Sequence, residues 1–342
     1  MKEILNVRRS DGAFSRVEIG DVLDRLEAYV QGRGKIIVVT DSNIYSHYKN
    51  VIDRYERIII GQGEENKTIA TLEYIYGRLL AMGADRGSMI VGFGGGIVTD
   101  ITGYAASTYM RGTHFGFVAT TLLAQVDASV GGKNGVNFEG YKNMVGTFNQ
   151  PAFVLCDIST LKTLPEKEFR SGLAEIIKSG LIADRRLFEL FEKHDYSDFR
   201  DNEKLLFEAV TRAVKVKKHI VEQDERESGE RKKLNLGHTF AHAIEKCTRE
   251  FVHGEAVAIG LRIIADFSRK RGGITAEEQQ RINSVLDRMG MPSGVSVPVP
   301  ELLTAIRGDK KKEGDSIDLI LMNGIGGCKI CKSEFTEIEK MF

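Results

Sequence analysis

An α/β layer joined to a second, mainly α-helical domain is the fold class that this 342-residue sequence predicts. Short β-branched runs recur through the first half, amphipathic patterns separate them, and beyond Leu164 long helical periods take over. The length also exceeds the size at which one hydrophobic core keeps growing, so two cores are expected.

The strand-like runs come in order as KIIVVTD at 35–41, RIIIG at 57–61, SMIVGFGGG at 88–96, FGFVATT at 115–121 and AFVLCD at 152–157. Apolar residues occupy both of their faces, as in buried and largely parallel strands. TIATLEYIYGRLLAMGA, at 68–84, repeats its apolar residues at helical spacing and supplies a covering helix. The boundary is expected near 158–165, where a strand ends and Pro165 suits the first turn of a helix, giving domains of about 1–160 and 161–342. EKEFRSGLAEIIKSGLI and EKLLFEAVTRAVKVKKHIVEQ then read as helices of the second domain. Near the end, IDLILM and CKIC flank the turn NGIGG and predict a hairpin.

Lys plus Arg number 48 and Asp plus Glu also number 48. No net field remains to hold nucleic acid or an anionic membrane, so any anionic ligand is gripped locally. Four cysteines, at 156, 247, 328 and 331, do not form a secreted disulfide framework, and the first residues lack a signal-like apolar core. With no apolar stretch of spanning length, the expectation is a soluble, cytoplasmic protein.

Four constellations carry chemistry. The segment MIVGFGGGIVTDITGYAAS reads as strand, glycine turn and helix, which brings bare N–H groups and a helix N-terminus to a diphosphate. Its spacing departs from the usual dinucleotide fingerprint, because the sixth position from Gly92 is Ile97, so a purely structural turn stays open. Asp41 ends the first strong strand and is either a ribose acceptor or a helix cap. His238 and His242 lie four apart on one helical face, with His253 close behind, and the apolar helix around Glu175 offers a carboxylate for a two-His, one-Glu metal site. Between residues 125 and 150, Asp127, Lys133, Asn137, Lys142 and Asn143 stand among glycines. Two lysines there suit a phosphate, and a long solvated surface loop is the alternative. Cys328 and Cys331 sit in a strand-like run and would face opposite sides, against a metal or redox role.

GGGIVTDITGYAAS, VATTLLAQVDASVGGKNGVN, KNMVGTFNQP, LKTLP, SGLAEIIKSG, DERESG, LNLGHTFAHAIE and HGEAVAIG, in that order, resemble the 3-dehydroquinate synthase family. TDSN at 40–43, GEENKT at 63–68 and DKK at 309–311 extend the resemblance over most of the chain. It implies a Rossmann-like N-terminal domain, a helical metal-binding C-terminal domain, an active site in the cleft between them, and a homodimer. It assigns the metal, zinc with cobalt as an alternative, to Glu175, His238 and His253, and places His242 among the substrate contacts. NAD contacts carry over to Asp41, Asn43, Glu64, Lys67, Gly95, Gly96, Asp100, Thr120, Thr121, Asp127, Lys142 and Thr163. Substrate contacts carry over to Lys133, Asn143, Lys178, Lys217, Arg231, Asn235 and His242, with Arg111 and a lysine of the 309–311 run added.

Thr99, Asn134 and Tyr141 depart from the family pattern beside matched residues and bear on loop shape. The implied reaction turns 3-deoxy-D-arabino-heptulosonate 7-phosphate into 3-dehydroquinate and phosphate by oxidation, elimination, reduction and intramolecular aldol closure. Lys217 and Arg231 are expected to face the substrate carboxylate, with the Arg231 side chain dispensable for folding. The competing readings are another sugar-phosphate cyclase, a metal-dependent polyol dehydrogenase and a silent NAD-binding regulator.

Overall fold

The structure, a computed structural model, describes residues 1–9, 11–308 and 312–342, so the lysines at 310 and 311 lie outside the described residues. The chain divides into two compact units, Met1–Leu164 and Pro165–Phe342.

The first unit contains strands β1 (Lys2–Arg8), β2 (Phe14–Gly20), β3 (Ile36–Asp41), β4 (Glu56–Ile60), β5 (Met89–Gly94), β6 (His114–Ala119), β7 (Lys133–Phe138), β8 (Tyr141–Phe148) and β9 (Phe153–Asp157). Its helices are α1 (Leu26–Val30), α2 (Ser42–Ile52), α3 (Ile69–Ala81) and α4 (Gly96–Thr108). One seven-stranded sheet runs β1-β2-β9-β6-β5-β3-β4, parallel from β2 to β4 and closed at one edge by the antiparallel β1–β2 hairpin. All five expected strands are present. The core packs Val38, Val91, Phe93, Val118, Phe153 and Leu155 against Leu26 and Val30 of α1, and Gly116 in β6 leaves room for the Phe153 ring.

Two hairpins were not expected. β1–β2 begins with alternating polar residues whose pattern is half-exposed and carries a weak apolar signal. β7 and β8 form a two-stranded antiparallel hairpin where a long loop was an open reading. Glycine content disguised it: Gly135 pairs with Gly146, and a Cβ on Gly146 would stand 2.1 Å from the Asn134 carbonyl oxygen, so only bare backbone permits this approach. Its two-residue turn, Glu139 and Gly140, has positive φ at both positions, the twist that suits a tight hairpin.

The second unit contains α5 (Glu166–Ala183), α6 (Arg185–Lys193), α7 (Tyr196–Asp201), α8 (Glu203–Gln223), α9 (His238–Cys247), α10 (His253–Lys270), α11 (Ala276–Arg288), α12 (Val299–Arg307) and α13 (Phe335–Glu339). A small sheet of β10 (Lys312–Glu313), β11 (Ser316–Met322) and β12 (Cys328–Glu334) contains the hairpin expected near the end. Pro165 caps α5. All four cysteines are unpaired, and Cys328 and Cys331 sit three apart on β12, facing opposite sides. Among the described residues no helix is long and apolar enough to cross a membrane.

Candidate metal centre and glycine turn

Three helices of the second unit converge where backbone meets backbone. Ser171 and Glu175 lie one turn apart on α5, and a Cβ on Gly254 would stand 2.2 Å from the Ser171 carbonyl oxygen. The Gly254 N–H also donates to Ser171 Oγ at 2.9 Å, which fixes the first turn of α10 against α5. A Cβ on Gly260 would stand 2.1 Å from the carbonyl oxygen of Gly237, the left-handed residue that caps α9. Each histidine, His238 and His253, is therefore the first residue of a helix whose position is set by a glycine contact.

The result is a set of donors in which Glu175 and His238 are buried and His253 is half-buried. His238 Nε2 and His253 Nε2 each lie 3.5 Å from Glu175 Oε1, and one donor atom from each residue falls within 4.8 Å of the others. Both Glu175 oxygens are buried and without a hydrogen-bond partner, although the Lys178 ammonium, one turn on, pairs with Oε2. Such a carboxylate is costly to bury unless a cation completes it. His238 Nδ1 meets the Leu236 carbonyl at 3.2 Å and His253 Nδ1 meets Glu245 Oε1 at 3.4 Å, so both rings turn Nε2 inward. Burial opposes charge on His253, but Glu175 and Glu245 outweigh it and hold its pKa up to about 10, the mark of a cation-seeking pocket. Two histidines and one carboxylate are the donor set of an open zinc site.

His242 shares a helical face with His238, their rings 5.6 Å apart, yet it is not one of the three grouped donors. Helical spacing alone therefore does not give this grouping, because the second histidine of the three, His253, comes from another helix.

The loop from 224 to 235 is built on Asp224. Its carboxylate accepts the N–H groups of Ser228, Gly229 and Arg231 and the Ser228 hydroxyl. Burial would raise its pKa, but these donors dominate and hold it down to about 2. Glu227, in left-handed backbone, accepts from Asn235 Nδ2. Arg231 is only 2% exposed and its guanidinium donates to the Glu225 carbonyl. The Arg231 side chain, expected to be dispensable for folding, is a buried part of the loop. Lys178 and Lys217 are also buried, at 2% and 6% exposure.

In the first unit the glycine turn joins β5 to α4. A Cβ on Gly94 would collide with Val98 and one on Gly95 with Thr121, so the turn is bare because its own helix and the chain after β6 press on it. Thr120 and Thr121 follow β6, and Thr121 Oγ1 caps the short turn containing Asp127. Asp41 caps α2 by accepting the Ile44 N–H at 2.8 Å, with Asn43 in that helix's first turn. Glu64 accepts from Asn137 Nδ2 at 2.8 Å, and the Tyr48 hydroxyl meets Thr163.

Lys67, 5% exposed, reaches Asp100 Oδ2 and Asn143 Oδ1, each at 2.6 Å. Burial raises the Asp100 pKa and Lys67 counters it in part. Asn143, expected among the substrate contacts, therefore stands on a residue of the cofactor set. Lys133 opens β7 and Lys142 lies on β8, both exposed. Arg111 and Met110 share left-handed backbone. The three departures sit in ordered places: Thr99 bonds the Gly96 carbonyl, Asn134 is buried and donates to the Gly132 and Asn149 carbonyls, and Tyr141 is exposed beside the hairpin turn.

Among the residues with a place in this geometry, Asp224, Glu227 and Glu245 were not singled out from sequence. Glu245 had a readable signal, since it follows His238 by seven positions and His242 by three, on the same face of α9.

Comparison with known proteins is specific. Residues 57–171 match the model of the 3-dehydroquinate synthase N-terminal domain and residues 172–312 that of the C-terminal domain. A 3-dehydroquinate synthase of Acidithiobacillus ferrooxidans is 44% identical over 309 residues, covering 87% of this chain and 85% of that protein. One of Prochlorococcus marinus is 38% identical over 332 residues, covering 93% and 90%. Among solved structures, 2-epi-5-epi-valiolone synthase from Streptomyces hygroscopicus with NAD+ and Zn2+ bound superposes with a TM-score of 0.87 at 30% identity, covering 96% of this chain and 95% of that one. A 2-deoxy-scyllo-inosose synthase shares the fold, with a TM-score of 0.88 at 24% identity and coverage of 99% and 98%.

Proposed function

The chain belongs to the 3-dehydroquinate synthase family, and on that premise we propose that it converts 3-deoxy-D-arabino-heptulosonate 7-phosphate into 3-dehydroquinate and phosphate, as a carbon–oxygen lyase. The observation that carries the reading is the largely buried Glu175, His238 and His253 set, with the buried Lys178 ammonium paired to Glu175. When bound, a zinc or cobalt ion polarises hydroxyl oxygens, and NAD takes up and returns hydride.

Glu175, His238 and His253 would hold the ion through one donor each, and the Lys178 ammonium pairs with the Glu175 Oε2. The family resemblance assigns Lys217, Lys133 and Asn235 to the anionic and hydroxyl groups of the substrate, and His242, its ring 5.6 Å from that of His238, is placed to move a proton. Arg231 acts with its loop: its buried guanidinium is anchored on Glu225, so it presents to a carboxylate only what that anchoring leaves. On the cofactor side, Gly95 and Gly96 give close access to backbone N–H groups at the start of α4, and Lys67 fixes Asp100 in place. The unpaired thiols agree with a reducing cytoplasm, and a homodimer is the assembly that the family resemblance implies.

The overall conversion leaves the oxidation level unchanged, so NAD is required and not consumed. Purified protein given the heptulosonate phosphate, zinc and a trace of NAD is expected to release one phosphate per dehydroquinate without accumulating NADH. NADH rising in step with product would move the chain to the polyol dehydrogenases. Equal turnover of sedoheptulose 7-phosphate, which lacks the carboxylate, would move it to another cyclase.

A further inference from the structure

We propose that Glu245 is a positioning residue for the metal centre, acting through His253; the inference rests on the metal reading above. His238 and His253 are held by different kinds of partner. His238 Nδ1 meets a main-chain carbonyl, that of Leu236, at 3.2 Å, whereas His253 Nδ1 meets the Glu245 carboxylate at 3.4 Å.

The two solutions follow from where the rings sit. Leu236 precedes α9 by two residues and its carbonyl is supplied by the turn that the left-handed Gly237 makes. His253 opens α10 directly after Val252, whose carbonyl is already taken by the Ala256 N–H. The orienting group for His253 therefore arrives from α9, and Glu245 sits two turns after His238 on the same helical face. One helix thus delivers a ligand and the anchor of the other ligand.

The Glu245 side chain is 7% exposed, so the contact with His253 is made largely out of water. An acceptor at Nδ1 holds the proton there and leaves Nε2 as the lone-pair donor, and an anionic acceptor increases the basicity of that nitrogen. Glu245 also adds a second negative charge next to a site whose inner carboxylate is already paired with Lys178.

The test measures zinc affinity by chelator competition on wild type, Glu245→Gln and Glu245→Ala, with circular dichroism and Tm of the metal-free forms as the folding control. Loss of an outer partner of a metal-bound histidine typically weakens binding ~10–100-fold, and that is the result expected for Glu245→Ala. Glu245→Gln keeps shape and an acceptor oxygen but loses the charge, so its affinity is expected between the two. The Gln variant is isosteric and decides the question even if the Ala variant does not fold. Gln affinity indistinguishable from wild type overturns the role of Glu245. A wild-type chain that binds no zinc overturns instead the metal reading on which the inference rests.

Discussion

Replacing Glu175, His238 or His253 by alanine is expected to remove bound zinc and take activity to near background, while His242→Ala keeps its metal. Each of the three supplies one donor to a three-donor site, so each loss leaves two ligands and opens the shell to water. The fall in zinc affinity should exceed the ~100-fold upper end seen when only an outer partner is lost. Glu175→Ala has a second effect of its own, because it removes the carboxylate that pairs with the Lys178 ammonium, which is 2% exposed. Metal content after gel filtration, with phosphate release on the same samples, separates the four variants. A His242→Ala protein as metal-poor as His238→Ala would return the same-face pair as the ligands and overturn the grouping of α5, α9 and α10.

Gly260→Ala is expected to destabilise the second unit by about 3 kcal/mol or more, at and beyond the usual upper range for overpacking, because the obstruction is backbone. The new methyl would stand 2.1 Å from the Gly237 carbonyl oxygen, and Gly237 caps the helix that begins with His238. Relief requires α9 and α10 to part, which separates the two histidines. For a unit of this size that cost lowers Tm by roughly 6–12 °C. Gly77→Ala is the control: Gly77 lies inside α3 with nothing within 4 Å of a Cβ, so the substitution is expected to be neutral or to stabilise by up to about 1 kcal/mol. Thermal melts of both variants, with zinc titration of Gly260→Ala, check the pair. An unshifted Gly260→Ala melt would mean that the helix seam yields more readily than its geometry requires.

The parts of the fold that were legible in sequence are those where burial writes a period. β3, β5 and β9 are apolar on both faces, and α8 was delimited to the residue because Asn202 caps it before a long amphipathic run. β7 and β8 were illegible for the opposite reason. Their pairing depends on Gly135 and Gly146 lacking side chains, which sequence periodicity scores as loop. In the metal centre, Glu175 was found as a carboxylate in an apolar helix, but the choice of His253 over His242 came from the family resemblance and not from spacing, because a rule for one helix does not contain the crossing of α9 and α10. Arg231 shows the same limit. Its charge suggested a fork for the substrate carboxylate, and only the turn built on Asp224 explains its burial.

The seams at Gly254 and Gly260 join main chain to main chain before any ion arrives. In small zinc domains the ion's binding free energy is folding free energy, and chelators denature them. Here the cage stands on three helices whose apolar residues are buried on their own account, Leu173, Ile176, Phe240, Ala241, Ala256 and Val257 among them. Starvation for metal should therefore create a reservoir of folded, silent chains instead of material for proteases, and restored supply should switch that reservoir back on without new synthesis.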